Sequence, residues 1–416
     1  MKKNKALSII ALIVAGEAIF LLPFILIRVF RAIIRDAFVM TDDQIGEAQA
    51  IYGITAVIAY FFGGFFADKY EPRKLLVISL IATGLGGIYM VSIPSVMGLK
   101  VLYGFWGVST ILLFWASLIK ATRQWGNENN QGLSFGLLDG GRGLFAATIA
   151  LIGASIPSFF FSQSGDSIPQ GQKIITMQYI IGFVTVVVFL VSLFVWFMLP
   201  EAEKNSGKHK MQIDFLKAFK LLKVPKVYLH AILIICAYSA YKITDVYATY
   251  SKDVWGFNLQ ESYNFGVAIQ FLRPFAAFII GWMADKYIAS KFILYGFALM
   301  SGCSLLIGLG LIETVPLLFS MLTFFAMVIG TYALRGLYFA IIEEAKTPIE
   351  LTGTIVGIIS VLGFTPDIFM SLISGYMLGK NPTVVEYQDL FLVFTIFPVI
   401  GLMATIGFRK SIGAKS

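Results

Sequence analysis

Read along its length, the chain alternates long apolar runs with short polar breaks. A membrane-spanning helix needs about 20 mostly apolar residues. Twelve runs meet that requirement, at about 6–30, 45–67, 75–93, 95–119, 132–155, 174–199, 227–250, 258–283, 291–312, 316–342, 351–379 and 388–408. A closed barrel would instead show short segments of alternating polarity. These runs are continuous and rich in Gly and Ala, and small residues let helices pack closely in lipid. The pattern predicts an all-α polytopic membrane protein. The first run, MKKNKALSIIALIVAGEAIFLLPFILIRVF, exceeds the apolar core of a signal peptide and has no clear small-residue cleavage site. It reads as a retained first helix.

The polar breaks carry orientation. With the N-terminus inside, the cytoplasmic segments hold 21 of the 32 Lys and Arg residues and the outer loops hold six, namely Arg31, Arg35, Lys100, Lys173, Lys252 and Lys380. Basic residues collect on the cytoplasmic side, so both termini are expected there. The longest break, residues 200–226, lies at the middle of the chain. Within it Phe215, Leu216, Phe219 and Leu222 share one helical face away from Lys217, Lys220 and Lys223, as in a short amphipathic helix on the membrane surface. The plan is a six-helix bundle over 1–199, a cytoplasmic linker over 200–226, and a second six-helix bundle over 227–416.

One break is written twice. GFFADKYEPRK begins at Gly64 and GWMADKYIASK at Gly281, so an offset of 217 superimposes Gly, Ala, Asp, Lys, Tyr and Lys. Each copy follows the second helix of its half. The chain reads as a duplicated six-helix unit.

Composition agrees with the pattern. Hydrophobic residues make up 58% of the chain and charged residues 13%, with a mean hydropathy of +0.81. A soluble domain carries about a quarter charged residues. The net charge of +8 is accounted for by topology, so no nucleic-acid partner is needed. Cys236 and Cys303 lie in apolar segments, and with only two histidines no metal site or cofactor is expected.

Twelve helices, inside termini, a central loop and the repeated Gly-x-x-x-Asp-Lys loop closely resemble the major facilitator superfamily. The resemblance covers the whole chain. It implies two pseudo-symmetric six-helix bundles, a monomer in the cell inner membrane, and a gating motif at Gly64, Asp68, Lys69 and Arg73, echoed by Gly281, Asp285 and Lys286. Within the superfamily the chain is most similar to the organophosphate/phosphate antiporters and sugar-phosphate permeases. Asp68-Lys69-Tyr70-Glu71-Pro72-Arg73 matches their loop spacing, Ile27-Arg28 resembles their Val-Arg in helix 1, and Thr249-Tyr250-x-Lys252 resembles the end of their helix 7. Their helix-7 arginine falls at Ala240 here, with Lys242 two residues on. The Gly-Pro-x-x-Gly-Gly signature of drug antiporters is replaced by LLDGGRGLFAA.

Nine ionisable residues lie inside the spans: Glu17, Arg28, Asp139, Arg142, Lys242, Asp245, Arg273, Arg335 and Asp367. At roughly 2.5–3.5 kcal/mol each near a helix centre, lipid exposure is excluded against a stability of about 5–15 kcal/mol. They must pair, sit near helix ends or line a wet cavity. Arg28 plus the repeat offset falls at 245, one turn from Lys242, so helices 1 and 7 each offer a cation. Arg28, Lys242, Arg335, Arg273 and Arg142 are the candidate binders of an anionic solute, because a guanidinium fork grips two oxygens of a carboxylate or phosphate. The alternative is that Arg28 and Lys242 pair with Asp245 or Glu17. Asp139 and Arg142, three apart, form a candidate structural pair. Glu17, Asp139, Asp245 and Asp367 are candidates for proton coupling.

No phosphate-binding GxxxxGK[ST] loop and no Ser/His/Asp set appears, so neither ATP-driven pumping nor an enzyme is expected. The expectation is a secondary active transporter of a small polar solute, an organic anion of sugar-phosphate or carboxylate type, working by alternating access on a proton or counter-solute gradient. The alternatives are an exporter of amphipathic drug- or siderophore-like compounds and a non-transporting solute sensor.

Overall fold

In the computed structural model, residues 5–126, 131–159, 169–200, 224–286, 288–338, 341, 359 and 361–413 are described, apart from some side chains within helices. Every described regular element is a helix. In chain order these are α1 (Lys5–Phe38), α2 (Asp42–Lys69), α3 (Pro72–Val91), α4 (Val96–Thr122), α5 (Gln131–Ser155), α6 (Gln170–Met198), α7 (Pro225–Asp253), α8 (Leu259–Lys286), α9 (Ala289–Gly308), α10 (Leu317–Leu337), α11 (Val361–Leu378) and α12 (Val384–Ser411). Among the described residues, ten helices are long and apolar enough to cross a bilayer by length and composition; α2 and α8, each 28 residues, complete the twelve.

Local chemistry sets where helices start and bend. Thr41 and Gln44 form a capping box at the start of α2, with Asp42 and Asp43 in its first turn, where carboxylates favour the helix dipole. Pro72 and Pro225 open α3 and α7 at positions whose N–H would be unpaired in any case. Inside α1, Pro23 cannot continue the α-helical ladder, and residues Leu21–Ile25 widen into a π turn. The Pro23 carbonyl accepts a bond from the Tyr103 hydroxyl at 3.0 Å. Pro274 sits within α8, while Pro366 restarts α11 after a turn.

Exposed apolar stripes mark the lipid-facing sides. Ile78, Ile81, Leu85 and Ile88 run along α3, and Val186, Leu190, Leu193 and Phe197 along α6, all exposed at helical spacing. Water would not tolerate two such continuous patches.

The chain divides into two compact units, one of Met1–Ser206, Asp245–Pro274 and Ser371–Thr383, the other of Gly207–Thr244, Phe275–Met370 and Val384–Ser416. In the first, α2 packs on α4, α3 on α6, and α1 on α5 and α6. Buried polar groups there find internal partners: Trp106 donates Nε1–H to the Thr83 carbonyl at 3.1 Å, and Tyr52 bonds Thr110 at 2.7 Å. The end of α11 belongs here because Gly46 and Gly375 let backbones touch. A Cβ on Gly46 would strike the Ser371 carbonyl, and one on Gly375 would lie 2.8 Å from the Asp42 carbonyl. In the second unit α9 packs on α10 and α12, and α7 packs on α12. Phe324 meets Phe391 edge-on at 5.7 Å, Thr395 donates to Ser304 at 2.8 Å, and His230 donates Nε2–H to the Tyr338 carbonyl at 2.5 Å.

Candidate functional site

Among the described residues, the intramembrane charges singled out from the sequence fall into three clusters. The first lies along the outer part of α1. Arg28, Arg31 and Arg35 are spaced three and four apart and so share a helical face. Arg28 places Nη2 2.5 Å and Nε 2.7 Å from Oδ1 of Asp245, whose other oxygen is 3.5 Å from Gln49 Nε2. Arg31 Nε donates to Asp42 at 2.5 Å. Arg35 bridges Asp42 at 2.8 Å and both oxygens of Asp253 at 2.9 and 3.0 Å. Three cations thus meet three carboxylates out of water. The alternative raised from the sequence holds here: Arg28 pairs with Asp245. Residues 28 and 245 are 217 apart, the same offset that superimposes the two copies of the repeated loop.

Arg31 and Arg35, assigned from the sequence to an outer loop, are instead buried within α1, which continues to Phe38. A hydropathy window ends at the first charge, but an arginine stays inside when a carboxylate is waiting for it. The helical spacing of the three arginines was the available signal. Gln49 and Asp253 offered none, since their partners are distant in sequence, while Asp42 lies only 11 and 7 residues from Arg31 and Arg35 but across the turn that follows α1.

The second cluster joins α1, α5 and α8. Glu17 accepts from Arg142 Nε and from Arg273 Nη1, each at 3.1 Å. Asp139 lies farther from the same guanidiniums, at 3.8 Å from Arg142 and 3.6 Å from Arg273. The arginine stems occupy room left by glycine. A Cβ on Gly16 would sit 3.1 Å from Arg142 Cδ, and one on Gly143 would sit 3.1 Å from Arg273 Cγ. Arg142 also lies over the rings of Phe20 and Trp115, at 5.7 and 5.6 Å. Asp139 and Arg142 therefore do approach each other, but Arg142 is closer to Glu17. Glu17, for which no local partner was evident, is held by two arginines from other helices.

The third cluster lies in the second unit. Lys242 Nζ is 3.6 Å from Asp367, which also accepts from the Tyr238 hydroxyl at 3.1 Å. Arg335 stacks on the Tyr241 ring at 3.7 Å and lies 5.9 Å from that of Tyr238. Lys242 and Asp245, three apart, part company: each is bonded to a different helix.

Of the aromatics, Tyr103 and Trp106 are fully buried with their polar atoms committed to Pro23 and Thr83, so they are packing groups. Tyr238, Tyr241 and Trp115 instead face charged side chains. In the repeated loop, Lys69 lies over the Tyr70 ring, and Arg73 lies over Trp196 at 4.7 Å and 3.3 Å from Glu71. The side chains of Gly64, Asp68, Gly281, Asp285 and Lys286, and the amphipathic segment of the linker, lie outside the described residues.

Comparison with known proteins agrees with this architecture. The inner membrane protein YihN of Escherichia coli (strain K12) is 24% identical over 422 residues, covering 100% of this chain and 98% of its own. Among solved structures, a bacterial homolog of the human lysosomal transporter Spinster, in an inward-facing and unoccupied conformation, superimposes with a TM-score of 0.72 at 14% identity, covering 99% of this chain and 98% of that one. The nucleoside transporter NupG, solved as a point mutant, gives 0.74 at 13% identity, over 97% and 100% of the two chains. The Major Facilitator Superfamily pattern matches residues 7–369. With twelve helices, lipid-facing stripes and charges gathered inside, the chain belongs to the Major Facilitator Superfamily and is a multi-pass membrane transporter, not an enzyme.

Proposed function

We propose that this secondary transporter carries a small organic anion, of the sugar-phosphate or carboxylate kind, across the inner membrane by alternating access. The observation that carries this reading is that candidate substrate cations are held by the protein's own carboxylates: Arg28 by Asp245, Lys242 by Asp367, and Arg142 with Arg273 by Glu17. An anion symporter must reset empty, and a buried cation without a counter-charge is costly. Internal carboxylates meet that need and give way when a substrate anion arrives. A displaced, buried carboxylate then favours a proton, which couples the anion to a proton gradient; exchange for a second anion achieves the same neutrality.

The two repeats, 1–199 and 227–416, act as the moving halves, with 200–226 as their tether. The Gly64/Asp68/Lys69/Arg73 loop and its echo at Gly281/Asp285/Lys286 latch the cytoplasmic side. Both termini face the cytoplasm, and the protein works as a monomer. The inner membrane location is supported by the name that YihN bears. The phosphate-antiporter branch is supported by the loop spacing and by Arg28 in helix 1.

Thermal unfolding of the purified protein with D-glucuronate, glucose 6-phosphate and D-glucose tests the reading. At least one anion is expected to raise Tm, and Lys242→Ala and Arg28→Ala to abolish the rise. Stabilisation by glucose equal to that by both anions, or a rise untouched by both substitutions, removes the anion assignment.

A further inference from the structure

On α1 the sequence RVFRAIIR sets Arg28, Arg31 and Arg35 on one helical face, and on α7 the sequence DVYATYSKD spaces Asp245, Thr249 and Asp253 four apart. These two segments pack against each other. Their register is fixed at both ends, where Arg28 meets Asp245 and Arg35 meets Asp253. Between those pairs, a Cβ on Gly266 of α8 would lie 3.3 Å from both Val29 Cα and Ala248 Cβ. The two ion pairs span 217 and 218 residues, and the same offset from Arg31 places Thr249 at its level.

This middle rung differs from its neighbours. The Arg31 side chain is 1% exposed, and Asp42 takes its Nε. Its Nη1 and Nη2 carry four of the five guanidinium N–H donors. Neither atom has a hydrogen-bond partner among the described residues, and neither has the hydroxyl of Thr249, which is also fully buried. Buried donors are seldom left unpaired, because their desolvation is then uncompensated. The Nη1/Nη2 edge of an arginine is also the edge that grips two oxygens of one carboxylate or phosphate. Asp42 holds the plane of the fork from its side, so this edge is already oriented.

We propose that Arg31 Nη1 and Nη2 and the Thr249 hydroxyl are the seat of the solute's anionic group, a carboxylate or a phosphate that accepts from all three. The inference rests on the anion-transport reading and deepens it by naming the atoms that grip the charge. Asp42 is the positioning residue for Arg31. The seat is reached when α1 and α7 part along this rung.

Thermal unfolding of the purified full-length protein tests the seat, with D-glucuronate, glucose 6-phosphate or inorganic phosphate as probes. The concentration dependence of Tm gives an apparent affinity. A response to glucuronate alone identifies the seated group as a carboxylate, and a response to the two phosphates alone identifies it as phosphate. Thr249→Val keeps the side-chain shape and removes only the hydroxyl. Without anion its Tm is expected to equal or exceed that of the wild type, since a partnerless buried hydroxyl stabilises nothing, while its affinity falls about tenfold or more. Thr249→Ser is expected to keep the affinity. Arg31→Lys, which retains the charge but not the two-pronged edge, is expected to lose it. An affinity unchanged in Thr249→Val or in Arg31→Lys, or a Thr249→Val that loses stability without anion, overturns the seat. Should Arg31→Lys fail to fold, Thr249→Val and Thr249→Ser decide between them. Failure of the anion reading looks different: no probe raises the wild-type Tm, and the seat falls with it.

Discussion

The Arg28–Asp245 pair makes a sharp energetic prediction. The side chains are 1% and 4% exposed and their charged atoms approach to 2.5 Å. At that distance, with an effective dielectric of about 20, attraction amounts to roughly 6–7 kcal/mol. Desolvation offsets most of it, at several kcal/mol per buried ion, so the net worth of the pair is small. Losing one partner is another matter: Arg28→Gln or Asp245→Asn leaves an uncompensated buried charge and is expected to cost about 3–5 kcal/mol. Gln49, at 3.5 Å, is too distant to replace the guanidinium. The double variant Arg28→Gln/Asp245→Asn removes both charges and should recover most of the loss, leaving a coupling energy of about 3 kcal/mol or more. Reversible unfolding of the purified protein in mixed micelles, followed by tryptophan fluorescence, measures the cycle. If the two single losses simply add in the double variant, the pair is not a coupled unit and the reasoning fails.

Further expectations concern packing and reactivity. Gly46→Val forces side-chain atoms onto the Ser371 carbonyl and is expected to destabilise the protein by about 1–3 kcal/mol or more, since backbone cannot yield as a side chain can, measured in the same unfolding assay; a neutral result would mean that α2 and α11 do not cross there. Cys236 and Cys303 are both buried, and thiols sealed in apolar packing are inert. A maleimide should label neither thiol until the protein is unfolded, as read by mass spectrometry, and rapid labelling of either in the folded protein would contradict its burial.

Much of the fold is legible in the chain because lipid allows few solutions. A span must be long, apolar and helical, so twelve runs of residues give twelve helices, and the echo of Gly64–Lys74 at Gly281–Lys291 is what makes the chain read as two related halves. The ionisable residues also announce themselves, since nothing but burial or pairing keeps them in a membrane. Their pairing does not. Local spacing offers Asp139 to Arg142 and Asp245 to Lys242, but spacing only sets out opportunities. Glu17 outcompetes Asp139 for Arg142, Arg28 claims Asp245, and Asp367 takes Lys242. These contacts span 125, 217 and 125 residues, so they are decided by helix packing and not by the segment itself. The same cause hid the end of α1. Arg31 and Arg35 look like loop residues until Asp42 and Asp253 are placed beside them.

Solute counterflow tests the central claim most directly. Proteoliposomes are loaded with whichever of D-glucuronate or glucose 6-phosphate stabilises the protein more, then diluted into a trace of the same labelled compound. A transporter that alternates access to an anion site predicts transient accumulation of label above the outside level, followed by decay, with no accumulation when D-glucose is used on both sides. Stabilisation by the anion without any counterflow would contradict the account and mark the protein as a solute sensor.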